Sequence, residues 1–327
     1  MPSAPFLVTG GAGFIGSHLV GALVARGERV RVVDNLSSGR LDNLASLEIG
    51  AIGSGAPVEF LGGDICDPVV LGRAVEGVQG ILHEAAQVSV PQSVAKPVES
   101  LDVNVLGTAR LLEAARRAGV GRVVFAASSA AYGASEVLPK REDQPAQPLS
   151  PYAVGKLAGE HLLAVFGRLY GMRTVSLRYF NVFGPRQRDD SPYTGVIALF
   201  ARALLSGATV SIHGDGEQTR DFTYVENAVQ ANLLALDADV PPGEVFNVGA
   251  GERIRLIDLY AELAALAGVQ RKPTYGPARA GDVRHSVACL KKIEARLGYR
   301  PLVDWRTGLA ATFAWYRAGA EAVRGAV

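Results

Sequence analysis

The chain has 327 residues, with 33 lysines and arginines against 32 acids and a formal net charge of +1. That balance gives no electrostatic case for nucleic acid or an anionic membrane, and no apolar run reaches the roughly 20 residues a membrane helix needs. Cys66 and Cys289 make neither a disulfide framework nor a metal spacing, and the five histidines show no HxH or HExxH pattern, so no metal is expected. The first five residues lack the basic and apolar regions of a signal peptide, and the chain reads as a cytoplasmic protein of one large or two fused domains.

Phe6-Leu7-Val8 is a short apolar strand running into Thr9-Gly10-Gly11-Ala12-Gly13-Phe14-Ile15-Gly16. A helix follows through Leu19, Leu23 and Val24, and Val30 to Asp34 is a second strand, ending in an acid 18 residues beyond Gly16. A lone glycine triplet is weak evidence, whereas strand, glycine turn, helix, strand and terminal acid together point to dinucleotide binding. The glycines let the backbone approach a pyrophosphate, and free N–H groups and the helix dipole favour an anion there. Asp34 would accept from the adenosine ribose hydroxyls and repel a 2′-phosphate, which favours NAD; Arg40 nearby leaves NADP open.

The alternation of strands and helices continues. The strand Val58 to Leu61 leads to Asp64, a candidate partner for the adenine amine that reads equally as a turn acid or helix cap. Gly80 to His83 is a buried strand ending in Glu84-Ala85-Ala86-Gln87, small residues that let a ligand lie flat. A helix from about Val98 to Ala118 contains Asn104, and the strand Arg122 to Ala126 delivers Ser128 and Ser129 at its end. Ligands of open parallel sheets lie beyond the carboxyl ends of the strands, so one of these hydroxyls belongs in the site.

Ser150-Pro151-Tyr152-Ala153-Val154-Gly155-Lys156 then opens an apolar helical run, with a phenol and an ammonium four residues apart on one face. A lysine there favours the phenolate and is expected to lower the tyrosine pKa from about 10. Such a phenol can take a proton from an alcohol and return it. Thr174 to Arg178 is a sixth strand, and after Tyr179 the texture changes. The expectation is an α/β fold, a Rossmann doubly wound parallel sheet with a smaller substrate domain. Residues 1–178, with 219–250 returning to them, would form the NAD-binding domain, and 179–218 with 251–327 the substrate domain.

With these residues in view, the chain resembles the extended short-chain dehydrogenase/reductases, and within them the UDP-sugar 4-epimerases. The resemblance is carried by Thr9 to Gly16, Asp34-Asn35-Leu36, Ser128-Ser129-Ala130-Ala131-Tyr132-Gly133, Tyr152 with Lys156, and Arg178 to Pro185. Gly214 to Phe222 and Arg279 to Ser286 also fall in the family's order. It implies Tyr152 as acid/base, Lys156 as phenolate stabiliser and nicotinamide-ribose ligand, and Ser128 on the sugar 4-hydroxyl. It implies an NAD site of Gly10, Gly13, Phe14, Ile15, Gly16, Asp34, Asn35, Asp64, Ile65, Ala85, Ala86, Gln87, Asn104 and Tyr179. The UDP-sugar would meet Ser129, Asn181, Val196, His213, Arg220, Arg279, Asp282 and Ser286. The resemblance also implies a homodimer, with helices near residues 100–118 and 152–169 at its seam.

Two positions discriminate within the family. Sugar-nucleotide 4,6-dehydratases carry an Asp-Glu pair after the catalytic hydroxyl residue, and UDP-glucuronate decarboxylases a Glu two before the YG tyrosine. Here those positions are Ser129 and Ala130, so elimination chemistry lacks its acid and base. The family's size gate falls at Ser286, and a small residue there admits a 2-acetamido group beside UDP-Glc and UDP-Gal. UDP-glucuronate stays open, because Arg186 or Arg188 could meet a C6 carboxylate. A non-catalytic NAD-binding scaffold is the alternative of another class, and it would be expected to lack Tyr152, Lys156 and Ser128.

Overall fold

The computed structural model describes residues 4–188, 195–278 and 283–325. A parallel sheet of eight strands forms its centre, in the order Glu244–Val248, Arg173–Tyr179, Arg122–Ser128, Gly80–His83, Phe6–Thr9, Val30–Asp34, Val58–Gly62 and Ile49–Gly50. The inner strands are continuous apolar runs because helices cover both faces. Leu19, Val20 and Leu23 of the Phe14–Ala25 helix and Ala231 and Leu236 of the Val225–Asp237 helix pack on one face. Leu71, Leu111, Leu112 and Leu163 pack on the other. This is the doubly wound α/β fold that the alternation of strands and helices implied.

The strand order reverses at Phe6–Thr9, which pairs with Val30–Asp34 on one side and Gly80–His83 on the other. A crevice opens beyond the strand ends where the order reverses, and it is the standard ligand position of such sheets. The glycine turn sits at its lip.

A second core gathers Ile197, Phe200 and Leu204 of the Val196–Leu205 helix, Leu259 and Leu263 of the Leu256–Ala267 helix, and Trp305, Leu309 and Phe313 of the last helix. Phe14 and Ile15, the first residues of the dinucleotide helix, also pack against it. The two cores therefore meet at the glycine turn. Short pairings tie the intervening chain down, Val182–Phe183 with Thr223–Tyr224 and Thr219–Arg220 with Ile254–Arg255.

The helix expected from Val98 to Ala118 is interrupted. A wide π turn at Asp102–Gly107 separates the Pro97–Leu101 helix from the Thr108–Arg117 helix. Such turns often mark functional positions. Here the turn carries Asn104, which is buried, into contact with Gly155 of the Pro151–Tyr170 helix, where a Cβ would stand 2.9 Å from the Asn104 Cβ. Apolar periodicity carries no sign of the extra residue. Among the described residues no helix is long and apolar enough to cross a membrane.

Candidate active site

The glycine turn is built for close approach. Gly10 holds φ +68, and a Cβ there would stand 2.8 Å from the Ala85 amide. At Gly16 a Cβ would lie 2.1 Å from the Gly10 carbonyl oxygen, so the helix start packs against the turn with no room for a side chain. Gly13 caps the helix without a side-chain bond, which leaves the first-turn N–H groups facing the crevice. The Asp34 carboxylate accepts from the Ala12 amide at 3.0 Å and from the Leu36 amide at 2.8 Å. Burial raises its pKa, and those two amides oppose the rise. Asp34 therefore braces the turn as well as standing where a ribose would bind.

Along the crevice, Asn35 donates to Asp64 at 2.8 Å, and Asp64 accepts from the Cys66 amide at 2.8 Å. The two side chains are brought together, and buried Ile65 lies beside Gly107. Asn104 clasps the backbone of Gln87, accepting its N–H at 2.9 Å and donating to its carbonyl at 3.0 Å. That clasp shapes the segment of Ala85, Ala86 and Gln87. His83 lies between the Thr9 and Thr108 hydroxyls at 2.7 and 3.0 Å, and burial pushes its pKa down to about 3, so it is a neutral structural link.

The catalytic candidates converge at the end of the Arg122–Ser128 strand. The Pro151–Tyr170 helix is capped by Ser150, whose hydroxyl accepts from the Ala153 amide at 3.2 Å, and Pro151 stands in its first turn. Its first turn presents Tyr152 and its second Lys156. The Lys156 ammonium donates to the Ala126 carbonyl at 2.7 Å and sits 5.0 Å from the centre of the Phe125 ring. Burial lowers its pKa to about 8. Ser128 accepts from the Ala130 amide at 3.1 Å, which fixes its oxygen and leaves its proton free to face Tyr152.

The expected lowering of the Tyr152 pKa is not what this arrangement gives. Burial raises it, the Ser128 hydroxyl counters part of the rise, and the charge of Glu84 adds to it. Lys156 is turned to Ala126 instead. Glu84, which sequence reading passed over as one of a run of small residues, accepts from the Tyr179 phenol at 2.8 Å. Asn232 donates to the same phenol oxygen at 2.6 Å. An acid at a strand's carboxyl end was the available signal for Glu84; Asn232, inside a helix, gave none.

The substrate candidates separate into groups. The Thr219 hydroxyl meets His285 at 3.0 Å, Arg220 donates to the Thr219 and Arg284 carbonyls at 3.0 and 3.1 Å, and Arg253 reaches the Thr219 hydroxyl at 3.4 Å. Burial lowers the His285 pKa, and Arg253, Arg284 and Arg220 lower it further, the mark of a cationic cluster suited to an anion. Arg253 was missed from sequence because it belongs to no motif. Ser286, half-buried, donates its amide to the Thr219 carbonyl at 3.1 Å. Asn181, at φ 32, donates to the Asp221 carbonyl at 3.0 Å, and Asp221 accepts the amides of Ala250, Gly251 and Ala288 at 2.8, 3.0 and 2.9 Å. This ties the 286–289 segment to the end of the sheet.

Ser129 begins the 3-10 turn after Ser128, and Val196 begins its helix. His213 is exposed, and its ring meets the Pro277 carbonyl at 3.3 Å. Arg279 and Asp282 lie outside the described residues. Arg186 and Arg188 donate to the Ser17 hydroxyl and the Ser38 carbonyl, both at 3.3 Å, which turns them to the dinucleotide half of the crevice. Among the described residues no cluster of His, Cys, Asp and Glu could hold a metal ion.

Comparison with known proteins agrees with this geometry. The NAD dependent epimerase/dehydratase family matches residues 6–249. A UDP-glucose 4-epimerase of Mycolicibacterium smegmatis is 42% identical over 313 residues, covering 95% of this chain and 98% of that one. The crystal structure of a UDP-glucose 4-epimerase from Thermotoga maritima with UDP-glucose is 38% identical, with a TM-score of 0.90 over 96% of this chain and 99% of that one. A UDP-N-acetylglucosamine 4-epimerase from Methanobrevibacter ruminantium, solved with UDP-N-acetylmuramic acid, is 35% identical, with a TM-score of 0.90 over 98% of this chain and 100% of that one. A dTDP-glucose 4,6-dehydratase is also among the relatives. Glycine cradle, Asp34 and the Tyr152–Lys156 helix fit an NAD molecule, and the chain belongs to the NAD dependent epimerase/dehydratase family.

Proposed function

We propose that the protein is a UDP-sugar 4-epimerase, acting on UDP-Glc/UDP-Gal and on UDP-GlcNAc/UDP-GalNAc. The observation that carries this is the meeting of Ser128, Tyr152 and Lys156 at one strand end, with no carboxylate at Ser129 or Ala130 to drive elimination. NAD, held by the Gly10–Gly16 turn, Asp34 and Lys156, supplies the hydride acceptor and donor. Tyr152 takes the proton of the sugar 4-hydroxyl and later returns it. Ser128 orients that hydroxyl, and the Lys156 charge favours the phenolate once it forms. The Arg220 and Arg253 guanidiniums, beside a neutral His285, anchor the diphosphate while the 4-keto sugar turns over, so proximity and orientation do most of the work.

A serine, half-buried, at position 286 is the small residue that would admit an acetamido group, which supports the wider substrate range. UDP-glucuronate is the second reading. It is disfavoured by Arg186, which bonds toward the dinucleotide half at Ser17. The test is a product assay by NMR on the purified protein with no added NAD. Conversion of UDP-Glc or UDP-GlcNAc to its C4 epimer is the expected result; no conversion of these or of UDP-glucuronate would overturn the assignment.

The proposed assembly is a homodimer. Val98 is 70%, Leu106 46% and Leu169 68% exposed on elements that pack beside one another, which supports an apolar seam there. A monomer by sedimentation at micromolar concentration would remove this proposal.

A further inference from the structure

Glu84 has no task in the mechanism above, yet its position is heavily determined. His83 is in register with Phe125, so Glu84, one residue on, stands beside Ala126. The Ala126 carbonyl is the group that holds the Lys156 ammonium. On the other side of the same strand Tyr179 is in register with Ser128, and its phenol reaches back across to donate to Glu84 Oε1 at 2.8 Å. Asn232 Nδ2 donates to that phenol oxygen at 2.6 Å and to the Ala228 carbonyl at 2.8 Å, so the phenol is pinned in turn. The Glu84 amide donates to the Thr9 carbonyl at 3.1 Å, which fixes its backbone.

A carboxylate is thus held among the catalytic side chains by Tyr179, which Asn232 pins in turn, on a backbone that Thr9 fixes. A glutamine would accept the Tyr179 bond equally well, so hydrogen bonding alone does not account for an acid here. The charge is what distinguishes it. The ionisable groups around Glu84 are Lys156 and Tyr152 from the Pro151–Tyr170 helix, Tyr179 from its strand, and His83, which burial keeps neutral. Glu160 and Arg178 bond each other at 2.9 and 2.7 Å. The Val225–Asp237 helix contributes only the uncharged Asn232.

We propose that Glu84 is a positioning residue for the Tyr152 proton: held by Tyr179 as the fixed counter-charge of Lys156, its carboxylate opposes negative charge on Tyr152. The proposal rests on the catalytic reading of Tyr152 and adds a regulator of its acidity to it. The Glu84 carboxylate holds the proton on Tyr152 once it has been taken from the 4-hydroxyl, the state needed to protonate the 4-oxygen when hydride returns to C4. Burial raises the Glu84 pKa to about 7, with Tyr179 and Lys156 opposing the rise, so the carboxylate is charged throughout the range in which Tyr152 ionises.

The test is a tyrosinate absorbance titration of the purified protein with its retained cofactor, read as the difference from the Tyr152→Phe variant so that only Tyr152 is followed. Glu84→Gln keeps the Tyr179 bond and removes the charge. It should move the Tyr152 midpoint down by about one pH unit, the effect of one charge within about 10 Å at an effective dielectric near 20. Glu84→Asp keeps the charge and should titrate close to the parent. An unmoved midpoint in Glu84→Gln would overturn the proposal, and so would equal shifts in both variants, which would mark a packing effect. The titration needs no turnover. A protein that converts no nucleotide sugar would sink the proposed function and still report on Glu84.

Discussion

Glu160→Met tests the support beneath the Pro151–Tyr170 helix. Glu160 and Arg178 form a two-pronged ion pair, Nε to Oε1 at 2.9 Å and Nη2 to Oε2 at 2.7 Å, with side chains only 4% and 6% exposed. Arg178 lies 4.7 Å from the centre of the Tyr132 ring, and its Nη1 meets no acceptor within hydrogen-bond distance among the described residues. Removing Glu160 therefore strands a buried guanidinium with the Tyr132 side chain, not a carboxylate, beside it. Breaking such a pair from one side costs about 3–5 kcal/mol. At about 2 °C per kcal/mol for a chain of this size, Tm should fall by about 6–10 °C, read by calorimetry or by circular dichroism. The double variant Glu160→Met with Arg178→Met leaves no buried charge and should recover much of the loss. A single variant within about 2 °C of the parent would refute the reasoning. A double variant no better than the single would show that packing, not charge, sets the cost.

Other perturbations follow from the same geometry. Tyr152→Phe should lower turnover by about 10²–10⁴-fold while NAD still copurifies, checked by steady-state kinetics and by cofactor released on denaturation. Gly16→Ala places a Cβ 2.1 Å from the Gly10 carbonyl oxygen, so the purified variant should carry little or no NAD; full occupancy would refute the tight turn. Ser286→Tyr should lose UDP-GlcNAc selectively over UDP-Glc in parallel kcat/KM measurements, and equal loss of both would remove the gate. Glu59 is buried, which pushes its pKa up, but the Gly53 amide and Arg31 outweigh this and hold it below its usual value of 4.5. A carboxyl lowered on folding stabilises above its unfolded pKa and loses that contribution as pH falls through the folded one. The Tm difference between the parent and Glu59→Gln should therefore be full near neutrality and shrink below about pH 4.5; a gap constant into acid would contradict the pairing.

Much of the cofactor half was legible because its requirements are local. Gly16 is dictated by backbone approach to Gly10 within seven residues, Gly10 by its left-handed φ, and Asp34 by the end of the next strand. Tyr152 and Lys156 share a face through helical periodicity alone. By contrast, the Tyr152 pKa was misjudged because its neighbours come from elsewhere: Lys156 turned to Ala126, and Glu84 arrived from another strand.

By itself the sequence determined the alternation of strands and helices, the glycine turn and the residue types of the trio proposed as catalytic, Ser128, Tyr152 and Lys156. These are set by patterns a few residues long, in which steric limits on φ and ψ and the helical repeat act directly. Only the tertiary structure decided that Glu84 would meet Tyr179 across 95 positions, that Asn232 would pin that phenol across 53, and that Arg253 would join the cationic cluster. Those contacts depend on strand order and on how two cores meet at the glycine turn. No local pattern specifies which distant polar groups will share one buried site, because their partners are chosen by packing and by the need to satisfy each buried donor and charge.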